Sequence, residues 1–114
     1  MKKMFIIVLF LFLLTGCATE EGSITKVSCD KMKELVKDSN ALLLDVRSNE
    51  EYDEGHLDNA ENRPLTKIDE LDINKNTPII VYCKSGIRSS EAAKMLLEMG
   101  YIHIYDLGPM SSCN

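Results

Sequence analysis

Apolar and polar positions change rhythm several times along this chain, and the changes divide it into strands and helices. Residues 41–46, Ala-Leu-Leu-Leu-Asp-Val, are nearly continuous in apolar character, and residues 78–82, Pro-Ile-Ile-Val-Tyr, form a second such run. Short unbroken runs suit parallel strands buried on both faces. Residues 24–27 and 102–105 read as two further short strands. Elsewhere the period lengthens. Met32, Leu35 and Val36 recur at helical spacing within residues 29–37, with Ser28 placed as N-cap, and Asp38-Ser39-Asn40 breaks that helix. Ser48 and Glu51 form a capping box that opens a short helix over residues 48–54, and Gly55 ends it. Residues 56–65 read as extended or irregular, with Pro64 suited to an edge or a strand end. Residues 67–71 allow one helical turn. Ala92, Ala93, Leu96 and Leu97 share one face of a helix over residues 88–99, which Gly100 closes. Strands alternate with helices and no repeat interrupts them, so the expected class is α/β with a mainly parallel sheet flanked by helices.

The first residues obey a different logic. Lys2 and Lys3 precede an unbroken apolar run over residues 4–14, too short to span a bilayer, for which about 20 apolar residues are needed. A positive end, a short apolar stretch and small residues make the layout of a secretory signal peptide. Leu14-Thr15-Gly16-Cys17 resembles the lipobox of bacterial lipoproteins. That resemblance implies cleavage after residue 16, a diacylglyceryl thioether on Cys17 and an acylated new amino terminus. Several acyl chains anchor stably where one gives only marginal binding. The expected organisation is a signal peptide at 1–16, lipidated Cys17 and a short polar tether at 17–23, and one domain at 24–114. The expected location is extracytoplasmic, at a bacterial membrane.

Composition narrows the partners. The formal net charge of −5 becomes two units more negative once Lys2 and Lys3 leave. Such a balance argues against nucleic acid or anionic lipid surfaces as partners. Of the four cysteines, Cys29, Cys83 and Cys113 lie beyond the lipobox, an odd number, so at least one thiol stays unpaired within the monomer. There is no Cys-x-x-Cys pair and no Cys and His cluster at zinc spacing, so no metal and no cofactor is expected.

Chemistry concentrates at Val81-Tyr82-Cys83-Lys84-Ser85-Gly86-Ile87-Arg88-Ser89. A cysteine at the carboxyl end of a buried strand, followed by a tight loop that opens a helix, lies where α/β folds place ligands. The helix start offers unpaired N–H groups and the positive end of the macrodipole, which favour an anion at the cysteine. Gly86 lets the backbone turn without a Cβ, and Lys84 and Arg88 add positive charge. A thiolate, a persulfide or a bound oxyanion would be stabilised there.

This stretch resembles the active-site loop of the rhodanese family in the form Cys-x-x-Gly-x-Arg-Ser. Upstream, Asp45-Val46-Arg47, Glu51-Tyr52, Gly55-His56-Leu57 and Ala60 resemble the rhodanese signature in order and spacing, and residues 100–108 resemble the family's closing segment. The resemblance implies a five-stranded parallel sheet and two-step transfer of sulfane sulfur through a persulfide on Cys83. Thiosulfate or a polysulfide would be the donor, and a thiol or a cyanide-like nucleophile the acceptor. Backbone N–H groups of Lys84, Ser85, Gly86, Ile87, Arg88 and Ser89 would hold the persulfide. Arg88 would assist an anionic donor, and Ser89 could add a hydrogen bond. Independently of the resemblance, Asp45 and Arg47 sit at a strand end beside the site, where they either touch substrate or support the loop. The second reading is favoured, with Arg47 pairing with a nearby carboxylate such as Glu51.

Two other functions fit the same fold. Related phosphatases and arsenate reductases use a longer Cys-x₅-Arg loop, sized for a phosphate-like tetrahedron, whereas Cys83 to Arg88 is Cys-x₄-Arg and suits a single sulfur. A non-enzymatic persulfide carrier or binding module would keep the loop without catalysis. His56 is read as scaffold, Met32, Met95 and Met99 as core filler, and Lys31, Lys33 and Lys37 as a solvated helix face. Glu61 and Arg63 fall where the family is apolar, which suggests an exposed edge or a partner contact. Pro109 and Cys113 replace a glycine and a tryptophan of the family's ending. The plain expectation is a frayed terminus with an inert cysteine; the sharper one is a Cys113 disulfide with Cys29, or a role in resolving Cys83.

Overall fold

The computed structural model describes residues 20–114. The apolar leader, the lipobox and Cys17 lie outside the described residues. Among the described residues no helix is long and apolar enough to cross a membrane.

The elements follow as β1 (Ser23–Lys26), α1 (Cys29–Ser39), β2 (Leu42–Asp45), α2 (Asn49–Glu54), β3 (Glu61–Asn62), a 3₁₀ segment (Leu65–Glu70), β4 (Ile79–Cys83), α3 (Ile87–Glu98), β5 (His103–Pro109) and a terminal 3₁₀ turn (Met110–Cys113). Five strands form one sheet in the order β1-β5-β4-β2-β3, and every pairing is parallel. The caps foreseen in the sequence are present. Ser28 Oγ accepts from Lys31 N–H at 3.2 Å, and Asn40 closes α1 in the left-handed region at φ 52°. Ser48 and Glu51 complete the capping box of α2.

Every residue of central β4 is buried, and its side chains alternate across the sheet. Ile79, Val81 and Cys83 join Leu44, Val46, Ile68, Ala92, Leu96 and Tyr101 in one core, beneath α3 and the 3₁₀ segment. Ile80 and Tyr82 join Met32, Leu35, Leu43, Ala60 and Leu107 in the other, beneath α1. Truncating a side chain such as Leu96 to alanine would cost about 2–5 kcal/mol.

Strand order locates the site. From β2 the chain moves outward to β3, then returns to the opposite side of β2 as β4. Ligands in open α/β sheets bind beyond the carboxyl ends of the strands at such a reversal. Asp45 ends β2 and Cys83 ends β4.

Three segments differ from the pattern reading. The last strand runs to Pro109 rather than 105, because β5 pairs with β1 on one side and β4 on the other. Val81 faces Asp106 and Tyr82 faces Gly108, so Leu107 is an extra residue in a β-bulge. Strand β3 has only two residues and lies at the sheet edge, which accounts for Glu61. The terminus is not frayed. Met110–Cys113 forms a 3₁₀ turn, and Cys113 is disulfide-bonded to Cys29 at a Cα separation of 5.1 Å. Met110 and Cys113 pack against the second core, an anchorage that a pattern of small polar residues does not announce.

Candidate active site

Cys83 is the last residue of β4, and Gly86, at φ 100°, is the N-cap of α3. A non-glycine residue there would be strained, and a Cβ would stand 3.5 Å from Pro109 Cδ. The turn folds the loop back over the sulfur. Cys83 Sγ accepts the Gly86 N–H at 3.0 Å and the Ser89 N–H at 3.3 Å. Cys83 and Ser89 are fully buried, and Cys83 is the free cysteine among the described residues. Two backbone donors at a helix start, aimed at one buried sulfur, stabilise negative charge on that sulfur or on an atom bonded to it.

The remaining loop residues divide. Lys84, Ser85 and Ile87 are exposed, and Lys84 lines a cleft of about 420 Å³ with Arg47, Glu51, Glu54, Gly55, Met110, Ser111 and Asn114. Ser89 contributes through its backbone rather than its side chain. Its hydroxyl donates to the Gly86 carbonyl at 3.1 Å and so braces the turn from behind.

Both arginines are held in ion pairs. Arg47 pairs with Asp45, not with Glu51. Its Nε and Nη2 donate to the Asp45 carboxylate at 2.7–3.1 Å, and Nη2 also donates to the Gly55 carbonyl at 2.7 Å. Two residues of separation after a strand end bring the guanidinium back onto the carboxylate, while Glu51 lies on the far side of the turn, toward α3. Glu51 instead receives Arg88 in a two-point pair, Nη1 to Oε1 at 2.7 Å and Nη2 to Oε2 at 3.1 Å. Arg88 therefore closes against α2. Its hydrogen bonds to Glu51 raise the Arg88 pKa, and the same bonds, helped by those from Ser48, hold the Glu51 carboxyl at about 2.

A residue that the motifs did not single out completes the support. The Tyr82 hydroxyl donates to Asp45 Oδ2 at 2.8 Å and accepts the Leu57 N–H at 3.0 Å. Burial pushes the Tyr82 phenol well above its ordinary pKa, and the bond to Asp45 adds to this. Asp45, Arg47 and Tyr82 thus form a satisfied buried brace under the loop. His56 is exposed, stacks on Tyr52 at 3.7 Å between ring centroids, and sets Nδ1 2.9 Å from the Tyr52 carbonyl. The pairing of Glu51 with Arg88 joins residues 37 apart, and no local spacing could signal it.

Comparison with known proteins agrees with this geometry. The family model described as "Rhodanese-like domain" matches residues 28–108. The thiosulfate sulfurtransferase GlpE of Coxiella burnetii (strain RSA 331 / Henzerling II) is 37% identical over 76 residues, which is 65% of this chain and 71% of that protein. The tRNA uridine(34) hydroxylase of Hamiltonella defensa subsp. Acyrthosiphon pisum (strain 5AT) is 33% identical over 84 residues, covering 66% of this chain but 23% of that protein. Among solved structures, a rhodanese-like domain protein from Staphylococcus aureus superposes with a TM-score of 0.69 at 28% identity, over 79% of this chain and 91% of that one.

Proposed function

Because the chain belongs to the rhodanese-like domain family, we propose that it is a sulfurtransferase that carries sulfane sulfur as a persulfide on Cys83. The observation that carries this reading is the convergence of the Gly86 and Ser89 N–H groups on the buried Cys83 sulfur. In the first step the Cys83 thiolate attacks the outer sulfur of the donor, and the donor S–S bond breaks. From thiosulfate, sulfite leaves with the bonding pair and Cys83 holds the persulfide anion. In the second step an acceptor nucleophile takes the outer sulfur. Cyanide leaves as thiocyanate, a thiolate leaves as a persulfide, and the Cys83 thiolate returns. Negative charge stays at the loop throughout, so the same donors serve both steps.

Mass spectrometry after treatment with a sulfur donor tests the covalent step. The expected result is one added sulfur atom on the Cys83 peptide, removed again by cyanide. Release of phosphate from an aryl phosphate, with no thiocyanate formed from thiosulfate and cyanide, would replace this reading with phosphatase chemistry.

The proposed setting is extracytoplasmic, with the chain lipid-anchored through Cys17, a tether to residue 23 and the domain at 24–114. Support comes from the lipobox-like residues 14–17 and from the Cys29–Cys113 disulfide, since such bonds persist in oxidising compartments. Fatty-acid labelling that is lost in Cys17→Ser is the expected outcome; labelling retained in that variant refutes the anchor.

A further inference from the structure

We propose that Glu51 is a positioning residue that sets donor selectivity, turning the site away from dianionic donors such as thiosulfate and toward organic hydropersulfides. This deepens the sulfurtransferase reading above and rests on it. A dianion gains from free cations beside the sulfur, and here both arginines are committed to carboxylates. Arg88 is held at two points by Glu51, with the two side chains 35% and 27% exposed. The Glu51 carboxylate is itself fixed, because its Oε1 also accepts from the Ser48 N–H and hydroxyl at 3.1 Å each. Arg47 is buried against Asp45 and Gly55. Lys84 remains the cleft cation without a carboxylate partner among the described residues, and Glu51 and Glu54 both line the same cleft.

Thiosulfate would meet a guanidinium whose charge Glu51 already neutralises, with the Glu51 carboxylate close to the doubly charged ligand. A hydropersulfide carries at most one negative charge on its sulfurs, and its organic part can lie against Met110 and the exposed backbone at Gly55. The reaction balances without any external oxidant or reductant. The Cys83 thiolate attacks the terminal sulfur of R–S–SH, the donor S–S bond breaks, the Cys83 persulfide forms, and RS⁻ leaves with the bonding pair and takes up the proton as RSH.

The test compares thiosulfate with 2-hydroxyethyl hydropersulfide as donors to cyanide, in the full chain and in Glu51→Gln. Glutamine keeps an acceptor oxygen for the Ser48 cap but removes the charge that holds Arg88. The unaltered protein should use the hydropersulfide at least about tenfold better in kcat/KM, and Glu51→Gln should raise kcat/KM for thiosulfate by about tenfold, mainly through KM, with the hydropersulfide changed by less than about threefold. The gain should vanish in Glu51→Gln/Arg88→Gln. Glu54→Gln, at an exposed position, should give a smaller gain in the same direction and covers the case in which Glu51→Gln does not fold. Equal use of both donors by the unaltered protein overturns the proposal, as does an equal loss for both donors in Glu51→Gln with no gain in Glu54→Gln. If neither donor adds sulfur to Cys83, the sulfurtransferase reading falls and the selectivity falls with it; if both load Cys83 equally well, only the selectivity falls.

Discussion

Tyr82 and Asp45 occupy partner positions on adjacent strands β4 and β2, and the Tyr82 hydroxyl reaches across to donate to Asp45 Oδ2 at 2.8 Å. The residue after Tyr82 is Cys83 and the residue paired with Asp45 is Arg47, so one buried bond joins the two halves of the site. Asp45→Ala would leave the Arg47 guanidinium, only 6% exposed, without its counter-charge. Unfolding in urea should show a loss of about 3–5 kcal/mol. Tyr82→Phe should lose about 1–3 kcal/mol, because the Leu57 N–H and one Asp45 oxygen lose their partner. The two substitutions share a network, so the double variant should lose less than the sum of the single losses.

Cys83→Ser separates chemistry from stability. The serine oxygen can accept the same Gly86 and Ser89 N–H groups, so the loop keeps its satisfied donors. Thiocyanate formation should drop to the buffer background while Tm moves by no more than about 5 °C, the shift that about 1 kcal/mol produces in a domain of this size. Thiocyanate formed at the unaltered rate would remove Cys83 from its assigned role.

The Glu51–Arg88 pair makes one part of the stability depend on acid. Glu51 titrates at about 2 in the folded protein, against about 4.3 for an unperturbed glutamate. A depressed folded value means that the contribution is complete above the unfolded value and is lost as pH falls toward 2. With both side chains partly exposed, screening reduces it to about 1 kcal/mol. Denaturant midpoints should therefore fall more steeply for the unaltered protein than for Glu51→Gln between about pH 5 and pH 2, and be parallel above that range. Parallel curves down to pH 2 would contradict the pairing.

The Cys29–Cys113 bond spans a sequence separation of 84. Cys29→Ser/Cys113→Ser should lose about 2–4 kcal/mol, mostly because the unfolded chain is no longer constrained. Thiol titration of the denatured, air-oxidised domain should find Cys83 alone reactive, with Cys29 and Cys113 reacting after reduction. Three reactive thiols before reduction would dismiss the bond.

Where the sequence was readable, its signal was local. The apolar runs at 41–46 and 78–82, the caps at Ser28 and Ser48 and the glycine turn at Gly86 each act within a few residues, so pattern reading located β2, β4, α1, α2 and the Cys83 loop. Arg47 pairs with Asp45 where Glu51 was expected, because both carboxylates are near in sequence and only the folded turn chooses between them. The Arg88 pairing was not legible at all, since its partner Glu51 comes from a different element. The bulge at Leu107 depends on β5 lying between β1 and β4, a relation that period and composition do not carry. The disulfide that anchors the terminus is, by contrast, one of the readings that Cys113 offered.

The disulfide also has a mechanical meaning. Cys29 opens α1 and Cys113 closes the last turn, so the bond makes a covalent ring that contains β2, β3, β4, β5 and the Cys83 loop, while β1 stays outside it. Strand β1 is exposed along its length and held at the sheet edge by β5. A pull through the amino-terminal end would strip β1 and then meet the ring at Cys29, where the load passes directly to Cys113 rather than through the strands between them. Tension applied between the two ends of the chain can thus fray the edge of the sheet while the sulfur cradle carries no load.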